Sequence, residues 1–137
     1  MCNYKYFPLS TGFENTLHPH CSPNDFDTIL NEVIQDLEEG EVLCIKEHPA
    51  QFSFRHHQRF ARSFSFLWKI ALNNKIVLLP AEADHLSILN SANSVVCLSS
   101  SSSYYESIFL KKEIISYGYS QLFNVSQKSH KLDAGKK

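Results

Sequence analysis

The chain has 137 residues, of which 43% are hydrophobic and 20% charged, with a formal charge of −1 at pH 7. That length fits one domain with a sizeable core, and the near-neutral balance excludes both a disordered chain and a general nucleic-acid binder. No apolar run approaches the ~20 residues needed to span a bilayer.

The elements alternate along the chain between strand and helix patterns. Tyr4 to Leu9 reads as a short strand closed by Pro8, and Thr11 to Pro23 as a polar loop. Ser22-Pro23-Asn24-Asp25 is a helix start, with a serine cap, proline in the first turn and an acid three residues on. Phe26, Ile29, Leu30, Val33, Ile34 and Leu37 follow at helical spacing, and Gly40 supplies a stop. Val42 to Lys46 suits a buried parallel strand. Phe60, Phe64, Leu67 and Ala71 place an apolar stripe on a second helix, with Trp68 beside it. Lys75 to Leu79 is a third strand. Asp84 caps a helix to about Asn93, with Leu86 and Leu89 facing inward. Ser94 to Leu98 is a strand, Ser103 to Lys111 a helix and Glu113 to Tyr117 a last strand.

This alternation predicts an α/β fold: a Rossmann-like, three-layer domain with a mainly parallel sheet of about five strands. Residues 1–126 form the domain, and 127–137 a polar, frayed tail. Cys2, Cys21, Cys44 and Cys97 are scattered, which favours free thiols in a reducing cytosol over a disulfide framework. Met1-Cys2-Asn3-Tyr4-Lys5 carries no apolar leader.

Two polar segments sit where strands end and helices begin, the positions at which open α/β sheets bind ligands. The first is Lys46-Glu47-His48-Pro49. Pro49 biases His48 toward extended backbone, which aims an imidazole from a strand exit into the ligand crevice. A loop histidine marking a strand exit is the plainer alternative. The second is the run Ser99 to Ser103, whose hydroxyls and backbone N–H groups precede a helix and suit an anion. Here too a plain reading stands: Ser103-Tyr104-Tyr105-Glu106 matches a capping box. Gly-rich phosphate loops, a Gly-x-Ser-x-Gly elbow and a marked nucleophilic cysteine are all missing from the sequence. His18, His20 and Cys21 lack a matching second pair of ligands, so no metal is expected. Arg55, His56, His57, Arg59 and Arg62 read as a solvated helix face or as help for an anionic ligand.

The ordered set Phe7-Pro8-Leu9, Glu14-Asn15-Thr16, Ile45 to Phe52, Ser100-Ser101-Ser102 with Glu106, and Tyr117-Gly118-Tyr119 resembles the capsular polysaccharide biosynthesis proteins, over about Tyr6 to Asn124. These are similar to the bacterial Kdo (3-deoxy-D-manno-octulosonic acid) transferases, which have the GT-B architecture of two Rossmann-like domains. The resemblance implies the C-terminal, donor-binding half of a glycosyltransferase of capsular or other surface polysaccharide, using a CMP-activated sugar such as CMP-Kdo. It implies that Lys46, Glu47, His48 and Pro49 meet the nucleotide, Ser100, Ser101, Ser102 and Ser103 cradle the phosphate, Glu106 approaches the ribose, and Gly118 belongs to the site. Ser101 stands where relatives usually carry glycine, and Tyr104 and Tyr105 precede the acid where relatives have small residues.

The cofactor expectation is none beyond the substrate nucleotide sugar. Expected partners are that donor, a glycan or glycolipid acceptor, and an N-terminal acceptor domain or partner subunit supplying the general base; nucleic acid is not among them. The expected location is the cytoplasm, at the cytoplasmic face of the bacterial inner membrane. A nucleotide-sugar 2-epimerase on the same architecture and a non-catalytic binding or assembly module are the alternatives.

Overall fold

The computed structural model describes residues 2–9, 25–49, 63–98, 102–117 and 128–130. In chain order these form β1 (Tyr4–Pro8), α1 (Asp25–Gln35), β2 (Val42–Lys46), α2 (Phe64–Leu72), β3 (Ile76–Leu79), α3 (His85–Ser91), β4 (Ser94–Leu98), α4 (Ser102–Phe109), β5 (Glu113–Tyr117) and β6 (Lys128–His130). The sheet order is β3-β2-β1-β4-β5-β6 and every pair is parallel. This is the expected α/β Rossmann-like fold, with the strand order reversing beside β1.

Side-chain alternation splits the core in two. Phe7, Leu43, Ile45, Val96 and Ile115 meet Ile29, Leu30 and Val33 of α1 and Phe66 of α2. Tyr6, Val95, Cys97 and Ile114 meet Leu89 of α3 and Tyr104 of α4. The helices therefore cover opposite faces in pairs, α1 with α2 and α3 with α4.

Several local expectations are corrected. The five expected strands are all present, and the backbone of Lys128–His130 adds a short sixth beside β5. Three polar residues give no apolar pattern, and an edge strand needs only backbone bonds to add itself. On α2, Phe64, Leu67, Trp68 and Ala71 are exposed, and the residues turned inward are Phe66 and Ile70. All but Ser65 and Lys69 of this helix are apolar, so periodicity could not choose a face. Ser63 settles the phase: its hydroxyl caps the helix by accepting from Phe66 N at 3.0 Å, and it donates to Asp27 Oδ2 of α1 at 3.3 Å. Leu86 is likewise 54% exposed, while Leu89 is buried as expected. Asp84 occupies the cap position of α3 as expected, and its carboxylate also accepts from the Ser87 hydroxyl. α1 ends at Gln35, and Gly40 turns later, at φ +78, in the Glu38–Glu41 turn that leads into β2.

The N-terminal edge of the sheet carries a buried ion pair. Lys5 Nζ lies 3.0 Å from Glu41 Oε2 and donates to the Asp36 carbonyl at 3.0 Å, and both charged residues are buried. Stripping one partner from such a pair leaves an uncompensated charge and costs about 3–5 kcal/mol, whereas replacing both with apolar groups is close to neutral. Urea denaturation should therefore show Lys5→Met alone strongly destabilised and the double variant Lys5→Met/Glu41→Leu largely recovered.

Candidate functional site

Parallel strands send all their exits to one edge, and both polar segments lie there. Lys46-Glu47-His48-Pro49 leaves β2, and Ser102 and Ser103 open α4 just after β4. Only β1 separates these two strands, so their ends stand about 10 Å apart, two interstrand spacings. Ser100, Ser101 and Gly118 lie outside the described residues, as do His18, His20, Cys21 and the Arg55–Arg62 segment.

Lys46 is the feature with the sharpest chemistry. Its carbonyl accepts from Leu9 N at 2.9 Å, tying the exits of β1 and β2 together. By strand alternation its side chain leaves on the face of Cys44, toward the α3 and α4 layer. Only 8% of the residue is exposed, yet among the described residues its ammonium has neither a hydrogen-bond acceptor nor a carboxylate. The contrast with Lys5, equally buried and fully paired, is direct. Glu47 does not serve Lys46: its Oε1 accepts from His48 N at 2.8 Å and braces the loop. His48 is half-buried and Pro49 exposed.

At α4 the expected capping box is absent. The helix begins at Ser102, one residue early, and Ser103 is buried inside the first turn with its carbonyl accepting from Ser107 Oγ at 2.6 Å. Glu106 reaches away from its own helix start to His85 on α3, Oε2 to Nε2 at 2.6 Å. The other ring nitrogen, Nδ1, lies 2.9 Å from the hydroxyl of Tyr6 on β1. Burial, with the charge of Glu106 second, holds the Tyr6 phenol well above its ordinary value, so it stays protonated. Every proton then finds an acceptor in one arrangement only: Tyr6 donates to Nδ1, and Nε2–H donates to the Glu106 carboxylate. The sequence reading missed His85. Its signal was available, a histidine at a strand-to-helix turn on the ligand edge, but Asp84 beside it explained the turn on its own.

Glu106 also borders an open groove of about 580 Å³ between α3 and α4, walled by Leu86, Tyr105, Phe109 and Leu110. Among the described residues no group of three His, Cys, Asp or Glu stands close enough to hold a metal, and no helix is long and apolar enough to cross a membrane. Cys97 is unsuited to nucleophilic work, because complete burial pushes its thiol up to about 12.

Neither a protein-family model nor a curated protein matches the chain. Among solved structures, the chain is similar to Thermosulfurimonas dismutans KpsC, a beta Kdo 2,4 transferase, with a TM-score of 0.66 at 17% sequence identity. The match covers 94% of this chain and 38% of that protein, so the chain spans well under half of its length. The likeness establishes the shared fold.

Tyr6, Tyr117 and Cys97 all have values raised chiefly by burial. In the unfolded chain they release protons near 10 for tyrosine and 9 for cysteine, so above those values the unfolded state binds fewer protons than the native one. Stability should hold up to about pH 9 and fall as pH rises further. Tyr6→Phe should flatten that alkaline fall in thermal melts between about pH 8 and 11.

Proposed function

We propose that the chain is the nucleotide-binding, donor-side domain of a glycosyltransferase in surface polysaccharide biosynthesis, taking a CMP-activated sugar. The observation that carries this reading is Lys46: a largely buried lysine, without a carboxylate partner among the described residues, at the ligand edge of a Rossmann-like sheet, a place that suits a phosphate. A lysine whose stem is packed and whose ammonium stands at the edge is held ready for an anion, and partial removal from water strengthens that attraction. The α4 start, two strands away, adds converging N–H groups and the Ser102 hydroxyl.

In this reading the sugar's bond to the nucleotide phosphate breaks as the acceptor oxygen attacks. Lys46 and His48 stabilise the charge that develops on the departing phosphate, and the α4 N-terminus takes part through its dipole. Glu106, held by His85, presents its second carboxylate oxygen to the ribose hydroxyls. The acceptor and the base that deprotonates it belong to another domain or subunit, and the glycan or glycolipid acceptor sets where the enzyme works, at the cytoplasmic face of the inner membrane.

Calorimetric titration with CMP tests this, and Lys46→Met gives the decisive pattern. Loss of a charge-assisted contact should weaken CMP about 10- to 100-fold. The same substitution keeps an apolar stem in the packed position and should leave the melting temperature of the ligand-free chain close to that of the parent. His48→Ala should weaken CMP with little change in melting temperature. A Lys46→Met chain that is destabilised and binds CMP normally would remove Lys46 from the site. Preference for UDP over CMP would move the reading to a different donor chemistry, and failure of any nucleotide to raise the melting temperature would leave only a binding or assembly module.

A further inference from the structure

A second groove, of about 510 Å³, lies between α1 and α2 on the opposite face of the sheet from the His85–Glu106 pair. It runs toward the amino edge, where the Asn73-Asn74 turn connects α2 to β3, and so lies away from the strand exits. Its two walls differ in chemistry. Asn31 and Gln35, one helical turn apart on α1, give a row of carboxamides, and Asn73 and Asn74 add two more at the end. Trp68 and Leu72, also one turn apart on α2, give the apolar wall.

The polar groups are largely unspent. Asn73 Oδ1 accepts from Lys75 N at 2.9 Å, which leaves its NH₂ for the groove. Asn31, Gln35 and Asn74 make no side-chain hydrogen bond among the described residues. The one charged lining residue, Lys69, has its ammonium 3.8 Å from Asp27 Oδ1, so the groove presents little free charge. Phe64 stacks on Trp68 with centroids 5.7 Å apart and planes 21° apart, and the indole remains 55% exposed.

An exposed, stacked indole opposite neutral groups that both donate and accept hydrogen bonds matches a ligand with apolar C–H faces and a rim of hydroxyls. Nucleotides and acidic peptides would instead call for unpaired cations. We propose that this groove is a binding site for a neutral glycan, with Trp68 stacking on a pyranose ring and Asn31, Gln35, Asn73 and Asn74 bonding its hydroxyls. The site is separate from the nucleotide edge and holds a chain of sugars away from the reaction centre.

Trp68 is the sole tryptophan of the sequence, so its fluorescence reads this groove and nothing else. The full chain is titrated with maltohexaose, cellohexaose and chitohexaose. The expected result is a saturable change in emission with at least one of them, at a dissociation constant on the order of millimolar. By calorimetry, Trp68→Ala abolishes that binding, and Asn31→Ala and Gln35→Ala each weaken it about 3- to 10-fold, the range of one lost hydrogen bond. Lys46→Met leaves the glycan titration unchanged, so the two edges stand or fall separately. Absence of any emission change with all three glycans would overturn the proposal. So would binding indifferent to Asn31→Ala and Gln35→Ala, or sedimentation showing a dimer whose dissociation exposes Trp68.

Discussion

Every strand of the sheet runs in the same direction, and that single constraint sets both the core and the site. It buries both faces, so β1 must satisfy two cores at once: Tyr6 and Phe7 are adjacent in sequence, both fully buried, and belong to opposite layers. A slip of one residue would exchange their faces and carry Lys5 away from Glu41. The buried ion pair therefore pins the register of the central strand as well as closing the amino edge. The same direction gathers the exits of β1, β2 and β4 on the other edge, where backbone groups end and side chains of the connecting segments take over.

The two edges handle buried positive charge in opposite ways. At the amino edge Lys5 has a carboxylate and a carbonyl within 3.0 Å, an arrangement that holds the chain together and leaves nothing for a ligand. At the carboxyl edge Lys46 is buried to the same degree with no such partner among the described residues. Its stem packs into the sheet while its charge is left for something other than the fold. An anion is the species that such a charge attracts.

Much of the architecture was legible because it rests on patterns that tertiary packing amplifies. Val42–Lys46 and Ser94–Leu98 have the boundaries their apolar runs announce, and Ile29, Leu30 and Val33 face the core their spacing assigns. What was not legible depends on partners distant in sequence. On α2 nearly every residue is apolar, and the choice of Phe66 over Phe64 follows from a serine cap and its bond to Asp27, 36 positions away. Lys128–His130 enters the sheet through backbone alone. At the edge, sequence placed His48, Ser102 and Glu106 near strand exits, but the burial of Lys46 and the reach of Glu106 to His85 are facts of packing.

Glu106 shows why local pattern misleads at such places. Its spacing from Ser103 satisfies the capping box, and an isolated helix would use it so. In the folded chain α3 brings an imidazole to 2.6 Å, and a charged acceptor gains more from that N–H than from a solvated backbone amide. Tyr6 completes the choice: a buried phenol that keeps its proton must give it to Nδ1, which commits the proton on Nε2 to Glu106. Three elements, β1, α3 and α4, are thereby linked through one ring. Movement of α4, whose first turn faces the proposed phosphate site, is coupled to the sheet by this chain of bonds. The histidine that the sequence reading passed over thus anchors the helix start on which the expected chemistry depends.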